Sequence, residues 1–242
     1  MYQRAQVEYE RQIWKRKPQL RLLKADYYAQ IRTRLPANGG RWVELGSGCG
    51  GLGEFVPQVT QTDIFPSPWV DVATSAERLS FADGTLSGLI GVDVLHHLEH
   101  PLQFFREAAR VLKRAGRVIL LEPYVSTGSW VPWHCLHHEH CSMRETFDPT
   151  AGHFDRENNA RATLWFERHR QTMESLVRPL FIEEIHRFDL FYYPLTGGFR
   201  PWSLVPSALA PGILRLDRWL GRWLGGLLGY RMLIVLRKGD AS

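Results

Sequence analysis

Trp42-Val43-Glu44-Leu45-Gly46-Ser47-Gly48-Cys49-Gly50-Gly51 decides the fold. A short apolar strand runs straight into a glycine-rich turn, with an acid two positions before the first glycine. Glycine has no Cβ, so such a turn lets the backbone approach a nucleotide-like ligand closely. The next β-like segment, Val59 to Ile64, carries Asp63 near its end. A carboxylate there is placed to hold a ribose diol through two charge-assisted hydrogen bonds.

The turn alone leaves two chemistries open. Gly46, Gly48 and Gly51 satisfy the dinucleotide pattern G-x-G-x-x-G, with Asp63 at a plausible distance for a ribose acid, as in a nicotinamide-dependent dehydrogenase. Glu44 points the other way, because a cationic ligand head wants a carboxylate where a pyrophosphate does not. A second block follows at Leu89-Ile90-Gly91-Val92-Asp93-Val94-Leu95-His96-His97-Leu98-Glu99-His100-Pro101, then a helix ending in Arg110-Val111-Leu112-Lys113 and a strand over 117–124. From about Arg41 to Pro123 this order of pieces resembles the class I S-adenosylmethionine-dependent methyltransferases of the broad type 11 group.

The resemblance implies a Rossmann-like α/β sheet, mostly parallel with an antiparallel last strand and helices on both faces. It implies S-adenosylmethionine as cofactor, held by Glu44, Gly46, Ser47, Gly48 and Gly50 at the turn and by Asp63 at the ribose. Ser75 and Ala76 match the position that meets adenine, where an Asp-Ala pair is common; Ser75 departs from that acid. Asp93 and His97 complete the implied cofactor set, and Asp93 also reads as a loop acid capping the following helix. A degenerate, non-catalytic cofactor-binding relative is the alternative outside enzymes.

An apolar content of 44% and a charged content of 23% are those of a globular protein with one sizeable core. No apolar run approaches the ~20 residues that span a bilayer, and the three cysteines, Cys49, Cys135 and Cys141, argue against a disulfide framework. These features predict a cytoplasmic protein, with peripheral contact to the inner membrane face left open. The net charge of +5 admits anionic company, but no basic-aromatic stripe or RNA module accompanies it, so nucleic acid is not expected.

Residues 1–40 read as two helices broken at Pro18, the second burying Leu20, Leu23, Tyr27, Ile31 and Leu35. Residues 41–124 read as the cofactor core, with strands at 41–46, 58–64, 70–75, 89–94 and 117–124. A helix from Leu102 to Lys113 turns Phe105, Ala108, Ala109 and Leu112 to the sheet. Residues 125–242 read as substrate loops, a cap and the final strands of the same domain, with a helix over 161–176 and strands over 181–190 and 231–236. The links after strands one and two are too short for full helices, so the N-terminal helices are expected to cover that face instead.

His134-Cys135-Leu136-His137-His138-Glu139-His140-Cys141 concentrates histidines, but its spacing lacks the second ligand pair of a structural zinc site, and no metal is predicted. The alternative is a substrate loop after the fifth strand, or a polar loop packed on Trp130 and Trp133. Members of the resembled group associated with polysaccharide gene clusters are similar here, at Asn158-Asn159-Ala160 and at Pro194 to Phe199. That implies His138 and Glu139 as general-base candidates and a hydroxyl of a glycan precursor, small or lipid-linked, as acceptor. A quinone or other hydrophobic small molecule is the rival acceptor.

Between the last two strands lies an insertion, 191–230, long enough to be a lid or binding element. Within 212–228, Ile213, Leu216, Leu220, Trp223, Leu224 and Leu227 share one helical face and Arg215, Arg218 and Arg222 another. This pattern predicts an interfacial helix meeting a lipid or membrane with Trp219 and Trp223, or a packed lid, or half of a homodimer contact.

Overall fold

The computed structural model describes residues 2–35, 39–135, 140–144 and 157–239. Seven strands form one sheet: β1 (Trp42–Leu45), β2 (Val59–Asp63), β3 (Val72–Ala73), β4 (Leu86–Val92), β5 (Leu112–Pro123), β6 (Leu180–Phe188) and β7 (Arg231–Lys238). Their order is β3-β2-β1-β4-β5-β7-β6, with β7 antiparallel to both neighbours and the other pairs parallel. The expected Rossmann-like sheet, mostly parallel with an antiparallel last strand, is what forms. Between β1 and β4 the chain changes direction across the sheet, and such a switch point opens a crevice at the strands' carboxyl ends.

Strand alternation distributes the core. On β5, Val118 and Leu120 face one side and Ile119 and Leu121 the other, all fully buried. The first side is covered by α3 (Pro101–Val111), by α5 (Arg161–Thr163) with the π-helical turn after it (Leu164–Arg168), and by α6 (Arg170–Leu176). The second is covered by α1 (Tyr2–Arg16) and α2 (Pro18–Arg32), through Trp14, Leu20, Leu23, Tyr27 and Ile31. As expected, the N-terminal helices replace the missing connections: only a single 3-10 turn, Leu52–Glu54, follows the glycines.

Several boundaries move for physical reasons. Helix α3 ends at Val111, so Leu112 starts β5, and the buried stripe is Phe104, Phe105, Ala108 and Val111 with Ala109 only half-buried. The edge strand β3 spans two residues rather than six. The helix expected over 161–176 is broken at the π-turn and His169.

Three further helices complete the cap: α4 (Trp130–Cys135), α7 (Tyr192–Thr196) and α8 (Ala210–Leu228). Helix α8 does not pack its large apolar face as a lid. Its buried side is Ala210, Leu214, Asp217, Gly221 and Gly225, while Leu216, Trp223 and Leu227 stand exposed. Gly225 explains this orientation, since a Cβ there would sit 2.1 Å from the Arg187 carbonyl oxygen: at that residue the helix backbone lies directly on β6. Arg218 does not line a solvent stripe either. It pairs with Asp26 of α2 at 2.6 Å and with the buried Asp217 at 2.9 Å.

The cap is tied to the N-terminal helices at the α1–α2 junction. The buried Lys17 Nζ donates to the carbonyls of Thr196, Gly198, Arg200 and Trp202 at 2.5–2.9 Å. Four converging acceptors satisfy an ammonium taken out of water.

Candidate active site and cofactor cleft

The turn after β1 is built as its sequence requires. Gly46, Gly48 and Gly50 all have positive φ, at 61°, 50° and 74°. At Gly50 an added Cβ would also lie 2.7 Å from Trp69; at Gly48 it would meet nothing nearer than 3.9 Å, so the turn is open there. The second strand braces it: Ser47 N–H donates to the Thr62 carbonyl (2.9 Å), Thr62 Oγ1 to the Glu44 carbonyl (2.7 Å) and Gly48 N–H to Asp63 Oδ2 (3.0 Å). Asp63 Oδ1 accepts from Phe65 N–H (3.0 Å), so this carboxylate holds the turn and the following loop as well as facing the cleft.

Glu44 is buried, and its Oε2 has no hydrogen-bond partner; neither has the buried Ser47 Oγ. Burial pushes the Glu44 carboxyl up to about 7, against the opposing pull of the Lys24 charge. A buried acid with an unpartnered oxygen beside a left-handed glycine turn could hold a cationic group. The α-ammonium of an amino-acid-bearing nucleoside fits it.

Around the turn stand α1 and the loop after β2. Trp69 Nε1 donates to the Gly48 carbonyl, and Arg11 of α1 donates to the Cys49 carbonyl (2.9 Å) while its guanidinium lies 5.6 Å from the Trp69 ring centre. Glu54, on the 3-10 turn, receives Trp14 Nε1 (3.0 Å) and pairs with Arg11 and Arg21. The first helix thus roofs the turn. Between them runs a narrow cavity of about 40 Å³, bordered by Gly48, Asp63, Phe65, Trp69, Val7 and Glu8.

Ser75 and Ala76 follow β3, next to β2 through the Thr74 N–H bond to the Asp63 carbonyl (2.9 Å). Ser75 Oγ is engaged locally, accepting from Glu77 N–H at 3.1 Å. Asp93, just past β4, takes a φ of 60° and pairs with Arg231 Nη2 (2.5 Å) and Lys24 Nζ (3.4 Å). Burial alone would raise its pKa, but Arg231, Lys24 and His96 outweigh it and hold the carboxyl well below the usual range. Asp93 does not cap the next turn, because Glu122 does: its Oε1 accepts from Val94 and Leu95 N–H (2.9 and 2.8 Å) and its Oε2 meets His96 Nδ1 (2.7 Å).

His96 is therefore buried in a pair, while the exposed His97 lies with its ring centre 4.0 Å from that of His96, tilted by 41°, and meets Glu157 at 2.8 Å. The buried Arg161 binds the carbonyls of Leu95, His96 and Leu98 (2.9–3.1 Å), and Asn158 N–H reaches the His96 carbonyl (3.2 Å). His138 and Glu139 lie outside the described residues. The adjoining His140 accepts from Asn159 N–H (3.0 Å), which anchors that end of the loop beside the His96–His97 turn.

Lys24, Glu122, Arg161 and Arg231 were not among the sequence candidates. Three of them had a local signal: Lys24 as a lysine within the apolar stripe of α2, Glu122 as an acid closing the run Ile119-Leu120-Leu121, and Arg231 as an arginine opening an apolar strand; Arg161 had none.

Residues 44–120 match the family described as a methyltransferase domain. The match covers about a third of the chain and likens this stretch to a methyltransferase domain. The match begins at Glu44 and takes in the glycine turn, Asp63, Ser75, Ala76, Asp93, His96 and His97. Such a domain draws its methyl group from S-adenosylmethionine, and the unpartnered Glu44 oxygen and open Gly48 turn suit that cofactor. No curated protein sequence matches the chain. Among solved structures, a SAM-dependent methyltransferase of Archaeoglobus fulgidus shares the fold at a TM-score of 0.55, 15% identical over 90% of this chain and 94% of that one. The geranyl diphosphate C-methyltransferase of Streptomyces coelicolor, solved with S-adenosyl-L-homocysteine, gives 0.52 at 13% identity over 89% and 77%. A [4+2]-cyclase, SpnF, gives 0.50 at 14% identity over 90% and 81%, so the fold by itself does not fix the reaction.

Proposed function

We infer that the protein transfers a methyl group from S-adenosylmethionine to a hydroxyl of a glycan precursor, small or lipid-linked. The observation that carries the methyl-donor half is Glu44, a buried carboxyl with an unpartnered oxygen at a left-handed glycine turn. When bound, the cofactor supplies an electrophilic methyl on a sulfonium. Glu44 binds its ammonium, Gly46, Ser47, Gly48 and Gly50 shape the turn around it, Asp63 takes the ribose hydroxyls, and Ser75 and Ala76 border the base. Asp93 with Lys24 and Arg231 fixes the cleft floor beyond β4, beside His97.

A hydroxyl acceptor must lose its proton as the methyl arrives, and alignment of acceptor with methyl supplies much of the remaining rate. His138 and Glu139 are the proposed base. Support comes from the anchoring of their neighbour His140 next to the His96–His97 turn, at the carboxyl end of β4 where acceptors bind in doubly wound sheets.

Calorimetry with S-adenosylhomocysteine tests the donor half: micromolar-range binding is expected, weakened ~10-fold or more in Asp63→Ala by loss of a charge-assisted pair. Binding of NADH with no response to S-adenosylhomocysteine would overturn it. In the acceptor half, His138→Ala and Glu139→Ala are expected to slow turnover at unchanged cofactor affinity. Unchanged turnover in both removes them as the base.

A further inference from the structure

We propose that the outward face of α8 is a docking surface for an anionic lipid bilayer. At about 100° per residue, Arg222, Arg215, Trp219, Trp223, Leu216 and Leu227 follow one another around the solvent side of this helix. Trp223 is 79% exposed, Trp219 58%, Leu227 53% and Leu216 50%. Four large apolar side chains in a continuous arc are more than a surface helix ordinarily shows to water.

Charge selects the occupant. From residue 190 to residue 239 the chain holds a single acid, Asp217. That acid is fully buried, and its carboxylate accepts from the N–H groups of Leu190, Phe191 and Tyr192. Arg218 is turned inward to Asp26 and Asp217. The outward face of α8 therefore presents tryptophans, leucines, Gly212, Gly226 and two exposed arginines, and no carboxylate. A second copy of the same face would set arginines against arginines. Phosphate headgroups complement them, and indole rings favour the depth where headgroups meet acyl chains. The inward row of small residues serves the same end, because it seats the helix low on β6 and leaves its bulky side chains outermost. The surface does not depend on which acceptor the enzyme methylates.

Sedimentation of the full chain with phosphatidylcholine vesicles, with and without phosphatidylglycerol, tests this. Retention is expected on the anionic vesicles only, falling as salt rises. Trp219→Ser with Trp223→Ser should abolish retention. Arg215→Gln with Arg222→Gln should weaken it about 25-fold, roughly fivefold per arginine at an anionic surface. All four side chains are exposed, so both double variants should melt with the wild type and bind S-adenosylhomocysteine equally. Wild type left in the supernatant of both vesicle types overturns the proposal. So does a wild-type dimer that the tryptophan variant converts to a monomer while vesicle retention stays nil.

Discussion

Glu44, the proposed cofactor acid, opposes the stability of its own fold. Its carboxyl titrates near 7 in the folded protein, whereas in an unfolded chain it titrates near 4.5. Between those values the folded state holds a proton that the unfolded state has lost, so stability falls as pH rises through that window and stays low above it. The shift corresponds to a cost of about 3 kcal/mol at pH 8. Glu44→Gln removes it: urea denaturation should show the variant gaining up to about 3 kcal/mol over wild type at pH 8 and little at pH 4.5. The same variant should bind S-adenosylhomocysteine poorly, and wild-type affinity should fall toward tenfold per pH unit below 7 as ligand binding has to ionise the acid. A Glu44→Gln gain equal at both pH values would show that the carboxyl titrates normally. The turn, Glu44 and Asp63 were legible in the sequence because each is recognised from neighbours within a few positions. The Lys24–Asp93–Arg231 cluster was not, since its members come from the second helix, the end of β4 and the last strand, and no local pattern links them.

Helix α8 shows where periodicity misleads. Two stripes coexist in its sequence, one of large apolar residues and one of Ala210, Leu214, Asp217, Gly221 and Gly225. Hydrophobicity favours burying the first. Close backbone approach favours the second, and it wins because the Gly225 position meets the Arg187 carbonyl directly. Gly225→Ala should therefore destabilise the protein by about 1–3 kcal/mol, the usual penalty of overpacking. Gly226→Ala, one residue on, meets nothing within 4 Å and should instead stabilise it, by up to ~1 kcal/mol from helix propensity. Thermal melts of the pair separate the two accounts: two stabilised variants would mean the helix does not press on β6. The N-terminal helices were legible for the opposite reason, since the apolar stripe of α2, Leu20, Leu23, Tyr27 and Ile31, is the face it buries, with Gln19, Lys24 and Tyr28 beside it.

At the scale of the molecule, the mostly parallel sheet and its antiparallel last strand followed from the resemblance, while the path of the 191–230 cap did not, because its contacts are made largely with distant residues. Those contacts give the ends of the chain a shared fate. Lys17 reaches the carbonyls of 196–202, Tyr27 donates to Asp189, and Asp26 receives Arg218, at sequence separations of 162 to 192. Lys17→Met would leave those carbonyls unsatisfied and should cost about 3 kcal/mol or more. The first helix, which roofs the glycine turn through Arg11, leaves the ribosome long before the groups that seat its neighbour α2. Contacts of this separation form late and slowly. Synthesis therefore exposes an unfinished cleft until the cap has emerged: on stalled nascent chains, α1 should stay open to protease until Arg218 is out, and close abruptly after it.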